Sequence, residues 1–335
     1  MTSHAVKGMS LDQRFEQLQT WLRTEAGITE YEIAPASEDA SFRRYFRVRY
    51  DATTRIVMDA PPSHEDCQPY IRISALMAGI GLHVPEVLRQ DLQQGFLLLT
   101  DLGERMYLSE LNAENVETLY ADAMQALLRL QLHGLADLPH YDLKLLMTEM
   151  ELFRHWYLER HLDIQLSKAD DVTIDAAFAY LADTALQQPR VIVHRDYHSR
   201  NLMVSSPNPG ILDFQDAVIG PVTYDLVSLL RDCYISWPRQ QVETWVTQYY
   251  HQARQQGILS DVSESMFTCW FDLMGIQRHL KASGIFARLN YRDAKPGYLK
   301  DIPRTLGYVI DVGKDYPVLE PFINLVEQAM ARNHD

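Results

Sequence analysis

The sequence predicts an α+β chain of two lobes, a small β-rich one followed by a larger helical one, and three observations carry that prediction. Over residues 31–100, short runs alternate apolar and polar side chains, with a single helix-like stretch among them. Beyond Gly103 the apolar spacing lengthens to that of amphipathic helices. Within that second region Val191–Asp213, VIVHRDYHSRNLMVSSPNPGILD, is a strand–loop–strand passage with an acid or an amide leaving each strand. The boundary falls at Leu102-Gly103, dividing the chain into residues 1–102 and residues 103–335.

Taken in order, Leu11, Phe15, Leu18 and Leu22 recur at helical spacing, with Gly27 as the stop. Tyr31–Pro35 reads as a strand. Phe42–Tyr50 is a second, with Phe42, Arg44, Phe46, Val48 and Tyr50 on one face and Arg43, Tyr45, Arg47 and Arg49 on the other. Thr54–Asp59 is a third strand, stopped by Pro61-Pro62. A helix from Gln68 to Ile80 precedes two more strands, Val84–Asp91 and Gly95–Thr100. In the second region helices are expected near 114–133, 141–161, 173–187, 222–235, 238–256, 261–289 and 317–332.

The 335 residues, 47% of them apolar, suffice for an ample core. A formal charge of −14 argues against non-specific nucleic-acid binding, which needs basic surface. Cys67, Cys233 and Cys269 are too few and too scattered for a disulfide framework or a zinc site, which suits a reducing cytoplasm. The first residues lack a signal-peptide core, and no run approaches the ~18 apolar residues of a membrane span. A cytoplasmic protein is expected.

The chemistry concentrates in the strand–loop–strand passage. His194-Arg195-Asp196 ends one apolar run, four residues intervene before Asn201, and Asp213-Phe214 ends the next run. Two carboxylates and an amide at one sheet edge are what phosphoryl transfer requires, because Mg²⁺ is held by one or two such groups plus phosphate oxygens. The order H-R-D-x-x-x-x-N, then D-F-x, matches the kinase catalytic signature, and with it the bilobal plan becomes a protein-kinase-like fold. Asp196 is then the catalytic base, Asn201 and Asp213 the metal ligands, and ATP with Mg²⁺ the cofactors. His194 is expected to be held by backbone hydrogen bonds and Arg195 by a salt bridge. His198 either reaches substrate or faces solvent. Gln215 stands where protein kinases carry a mobile glycine, so the loop is expected to stay put. Asp225, near the start of the next helix, is expected to brace the catalytic loop from below.

HRDYHSRN, ILDFQDA and GPVTYDLVSLLRD together resemble the aminoglycoside/choline-kinase type of small-molecule phosphotransferase, in which the segment after the metal Asp is short and leads straight into a G-P-x-x-x-D-L helix. The resemblance covers residues 30–290. DASFRRYFRV (39–48), IVMDAPP (56–62), GFLLLTDLG (95–103) and QRHLKASGIFARLNYRDAKPGYLKDIPR (277–304) look further like the bacterial sugar kinases that phosphorylate N-acetylmuramate and N-acetylglucosamine at C1 during cell-wall recycling. The resemblance implies an amino sugar and ATP as partners, without nucleic acid or membrane, and a monomer is expected.

Two parts of the kinase pattern are absent. The lysine slot of the third strand holds Met58 or Asp59, and the helix 68–80 contains no acid. Asp59 with Arg72 would be the same pair with its sign reversed. Alternatively, if Phe46 and Val48 roof the adenine, Arg44 on the same strand face points to the phosphates. With no Gly-rich loop, Ser41 and backbone N–H groups of the 39–42 turn must serve. Adenine is expected against the backbone of Thr100, Asp101 and Leu102, where an apolar strand runs into the lobe junction.

For the acceptor, residues 277–304 carry seven Arg and Lys against Asp293 and Asp301, which favours a neutral or anionic acceptor over a cationic one. Gln277, Arg278 and Lys281 are the expected sugar contacts, and Tyr197 either stacks on a sugar ring or packs in the core. The competing readings are another small-molecule kinase of the same superfamily and a nucleotide-binding module without turnover.

Overall fold

The computed structural model describes residues 11–37, 42–134 and 137–332. Two compact units divide the chain at Gly103. In the first, helix α1 (Leu11–Thr24) precedes strands β1 (Glu32–Ser37), β2 (Arg44–Tyr50) and β3 (Thr53–Asp59). Helix α2 (Gln68–Gly79) and strands β4 (Val87–Asp91) and β5 (Phe96–Thr100) complete it. The strands form one antiparallel sheet in the order β1-β2-β3-β5-β4. Strand alternation decides what lies on each face. Phe46 and Val48 of β2, Val57 of β3, and Phe96 and Leu98 of β5 share one face, and they pack with Leu18, Trp21 and Leu22 of α1 into a single apolar cluster. Met58, Leu97 and Leu99 leave the other face and are buried as well. The β4–β5 turn needs Gly95: its φ is +75°, in the left-handed region that favours glycine, and a Cβ there would meet the Ala60 carbonyl oxygen at 1.9 Å.

The second unit is mostly helical. Its elements are α3 (Tyr107–Glu110), α4 (Val116–Leu132), α5 (Leu143–Leu152), a π-helical stretch Phe153–His161, and α6 (Lys168–Leu186). Four short strands follow, β6 (Arg190–Val193), β7 (Leu202–Met203), β8 (Gly210–Ile211) and β9 (Val218–Pro221). Then come α7 (Tyr224–Leu230), α8 (Arg239–Gln255), α9 (Glu264–Asp293), a 3₁₀ turn Pro296–Asp301, α10 (Ile302–Gly313) and α11 (Glu320–Arg332). The thirty-residue α9 is buried along most of its length. Its Gly284 lies so near the chain at Leu152 and Phe153 that a Cβ would fall 2.2 Å from the Leu152 carbonyl carbon, so the helices meet backbone to backbone where α5 gives way to the π-helical stretch. Helix α10 had no counterpart among the expected helices; its N-terminal part lies in the stretch 277–304, where the sequence reading rested on charge. Among the described residues no helix is long and apolar enough to cross a membrane.

Candidate active site

Strand β6 pairs antiparallel with β9 and β7 with β8, and these two ribbons set the ends of the loop that carries Asp196 and Asn201. The chain leaves β6 through a left-handed residue, Arg195, at φ 79°, a conformation unusual for a side-chain-bearing residue. One carboxylate holds it there. Asp225, in the first turn of α7 and fully buried, accepts the N–H of His194 at 2.6 Å and of Arg195 at 2.9 Å, the brace expected of it. Asp232, seven residues on, accepts the N–H groups of Ser199 at 2.8 Å and Tyr234 at 2.7 Å and so fixes the loop's far side. His194 is buried between the two ribbons: Nε2 donates to the Leu212 carbonyl at 3.0 Å, and Nδ1 faces the Asp196 N–H at 3.3 Å. Burial lowers its pKa to about 4, so the ring is neutral and structural.

Asp196, Asn201 and Asp213 come together. The Asn201 amide nitrogen donates to the Asp196 carbonyl at 3.0 Å and lies 3.4 Å from Asp213 Oδ2. The Leu212 N–H returns to the Asn201 carbonyl at 2.9 Å, which extends the β7–β8 ribbon to the point where Asp213 leaves β8. Asp213 is itself left-handed, at φ 62°, and Gln215 Nε2 donates to its Oδ1 at 2.8 Å. A glutamine in place of a glycine therefore grips the acid it follows. With the Asn201 nitrogen so engaged, its amide oxygen is the atom that can meet a hard cation beside the Asp213 carboxylate. No set of three or more His, Cys, Asp or Glu that could hold a metal occurs among the described residues. One carboxylate and one amide fit an ion that takes its remaining ligands from phosphate oxygens and water.

Behind the loop lies a layer of buried charge. Glu149 of α5 is the hub, paired with Arg195 and with Lys281 of α9 at 3.3 Å, and it accepts the Tyr141 hydroxyl. Burial would raise the Glu149 pKa, yet Lys281 and Arg195 hold it below the usual carboxylate value. At Asp196, burial likewise works upward, and the charges of Lys281, His198, Arg278 and Arg195 overcome it, holding the pKa down to about 2. Asp225 goes the other way: burial lifts its pKa to about 7 against the pull of its two N–H donors. Asp196 thus stays ionised, and its brace titrates near neutrality.

The three residues expected from α9 separate by role. Gln277 is fully buried, its amide nitrogen on the Tyr141 hydroxyl at 3.3 Å. Lys281 reaches the Tyr224 hydroxyl at 2.9 Å as well as Glu149. Arg278, on the neighbouring face, touches Cys233 Sγ at 3.5 Å. Tyr197 is a core residue: it is fully buried, with its hydroxyl on the Ala123 carbonyl at 2.9 Å and its ring edge-on to His194, so it cannot stack on a sugar. His198 is half-buried against the Tyr234 ring, and its Nδ1 is buried without a partner. Sequence reasoning missed Glu149 and Asp232. Asp232 carried a signal, since it repeats Asp225 after seven residues.

In the first unit the expectation for β2 is corrected. Val48 cannot roof a nucleotide, because α1 covers its face and the side chain is fully buried in that cluster. Arg44 shares the face. Its Nε donates to Asp59 Oδ2 at 3.0 Å, while Arg14 of α1 takes Asp59 Oδ1 at 2.9 Å. Asp59 therefore serves Arg14 and Arg44, not the sign-reversed pair with Arg72. From the opposite face Arg47 clasps the Asp101 carboxylate, at 2.6 and 3.0 Å, and the Gly103 carbonyl at 2.7 Å. The Thr100 N–H is used by the Glu86 carbonyl at 3.0 Å, and its hydroxyl accepts the Glu86 N–H at 2.9 Å. Leu102 is buried. Ser41 lies outside the described residues.

Residues 32–260 match the phosphotransferase enzyme family. An N-acetylmuramate/N-acetylglucosamine kinase of Pseudomonas putida is 45% identical over 331 residues, covering 96% of this chain and 98% of that protein. A protein of the same name from Pseudomonas aeruginosa is 47% identical over 312 residues, covering 90% of this chain and 92% of its own length. Among solved structures, ethanolamine kinase of Plasmodium vivax aligns with a TM-score of 0.63 at 10% identity, over 92% of each chain, a likeness of fold that agrees with the bilobal kinase-like plan. The match runs through the catalytic loop and across more than half of the chain, and the protein belongs to the phosphotransferase enzyme family as a kinase of small molecules.

Proposed function

We propose that the protein is an ATP-dependent kinase that phosphorylates the anomeric C1 hydroxyl of N-acetylmuramate and N-acetylglucosamine, a cytoplasmic step of cell-wall recycling. The observation that carries this reading is the meeting of Asp196 and Asn201, on one braced loop, with Asp213 at the end of β8, and with cationic Lys281 and Arg278 acting on Asp196. The names of the relatives support the acceptor. A cationic surround also suits a neutral or anionic sugar and repels the cationic acceptors of aminoglycoside and choline kinases.

In this reading Asp196 orients the acceptor hydroxyl and takes its proton as the new O–P bond forms and the bond from the γ-phosphorus to the bridging oxygen breaks, releasing ADP, while the left-handed turn at Arg195 and the Asp225 brace keep its carboxylate aimed. Asn201 and Asp213 would hold Mg²⁺. Mg-ATP, when bound, supplies the phosphoryl group and a counter-charge to it. Residues 1–102 form the nucleotide lobe, with the Asp101 and Leu102 backbone meeting adenine, and residues 103–335 carry the catalytic loop and the acceptor contacts, Arg278 and Lys281 among them.

The test is to incubate the protein with Mg-ATP and a panel of acceptors and follow ADP release. Release with N-acetylmuramate and N-acetylglucosamine but not with kanamycin or choline is expected, and NMR of the product should place phosphate on C1. No turnover with either amino sugar would defeat the reading; phosphate on C6 would defeat its regiochemistry.

A further inference from the structure

The buried cations of the second unit differ in how they are neutralised. Arg195 and Lys281 share Glu149, and Arg231 pairs with Asp272 at 2.6 Å. Arg278 is only 5% exposed and makes no direct ion pair among the described residues, although the charges of Asp196 and Asp232 reach it. One terminal nitrogen reaches the Cys233 thiol at 3.5 Å, and its Nε is buried with no partner. A permanently charged group out of water without a direct ion pair is unfavourable, and a protein tolerates one where an anion arrives from outside.

Its position indicates which anion. Cys233, its one bonded neighbour, follows Asp232, the carboxylate that braces Ser199, so Arg278 lies behind the middle of the catalytic loop. The same wall carries Arg200, whose guanidinium lies over the rings of Tyr234, at 4.8 Å, and Tyr298, at 5.2 Å. Arg304 donates to the Cys233 carbonyl at 3.0 Å. Among the described residues no hydrogen bond or ion pair joins Asn201, Asp213 or Gln215 to Arg278. Its charge is felt at Asp196, yet the two form no ion pair. A cation that acts on Asp196 without being paired to it suits a sugar whose reacting hydroxyl meets Asp196 and whose negative group projects from another ring carbon.

We propose that Arg278 is the receptor for a carboxylate carried by the acceptor, and that it selects an acidic amino sugar, N-acetylmuramate with its lactyl group on O3, over the neutral N-acetylglucosamine. The assignment rests on the amino-sugar kinase reading above. Arg278 offers the planar fork that meets a carboxylate through two parallel N–H bonds, and closing that pair satisfies its orphaned nitrogen.

The experiment is a cycle of two proteins and three acceptors: wild type and Arg278→Gln, each with N-acetylmuramate, its lactyl carboxamide and N-acetylglucosamine. Wild type is expected to favour the acid over the carboxamide by roughly 30-fold or more in kcat/KM, and Arg278→Gln to shrink that ratio to within about threefold, through KM. Equal losses for all three acceptors would assign Arg278 to the phosphoryl group or to folding and overturn the proposal. A wild type that does not distinguish acid from carboxamide overturns it without any variant, so the test stands even if Arg278→Gln fails to fold. A wild type inactive on all three removes the kinase reading itself, and the selectivity proposal with it.

Discussion

Each unit contains one buried carboxylate shared by two cations, and the two clusters do different work. In the first unit Asp59 takes Arg14 on one oxygen and Arg44 on the other; Arg44 lies on the sheet face that α1 covers, and Arg14 comes from α1. In the second, Glu149 takes Arg195 and Lys281, and these cations also act on a third group, Asp196. The first cluster fastens a helix to a sheet. The second sets the ionisation of Asp196. What separates them is whether another carboxylate lies within the field of the shared cations.

The comparison breaks most easily at Glu149. Glu149→Ala leaves Arg195 and Lys281 buried without their counter-charge, and urea unfolding should show a loss of about 3–5 kcal/mol. A loss near that of an ordinary surface substitution would mean that water reaches the pair. At Asp59 a smaller effect is expected, because the Arg44 side chain is 26% exposed and can turn towards solvent, whereas Arg14 is 11% exposed and cannot. Asp59→Asn should destabilise by about 2–3 kcal/mol with the KM for ATP within about threefold of wild type. A large rise in that KM would bring Arg44 back as a phosphate ligand and erase the contrast.

The smallest effect to look for is in titration. Asp196, depressed to about 2, contributes stability that is fully present above its unfolded value of about 3.9 and is lost as pH falls through 2. Asp225, raised to about 7, has the opposite sign: its contribution is full below about 3.9 and is lost as pH rises through 7. Carbon-13 NMR of labelled aspartates should show one buried carboxyl titrating near pH 7 and assigned to Asp225, with Asp196 silent down to pH 4. Protonation of Asp196 near neutrality would mean that Lys281 and Arg278 do not reach it electrostatically.

Much of this was legible beforehand. The alternation of β2, the helical period of α1 and the H-R-D-x-x-x-x-N spacing each have a single local reading, and Asp196, Asn201 and Asp213 follow from that spacing. Alternation separates two faces of a strand but does not say which face another element covers, which is why Arg44 and Val48 were placed on the nucleotide side. Tyr197 follows the base directly in sequence, yet its side chain turns inward to Ala123, a choice set by packing from α4. Glu149 looks like any helical acid until Arg195, 46 residues later, is brought against it.

Gln215 has a last consequence. Its bond to Asp213, together with the Asp225 and Asp232 braces, fixes the catalytic segment from three sides. All three bonds are made by side chains outside the stretch from Asp196 to Asn201, so the shape of that stretch can be altered without changing any residue in it.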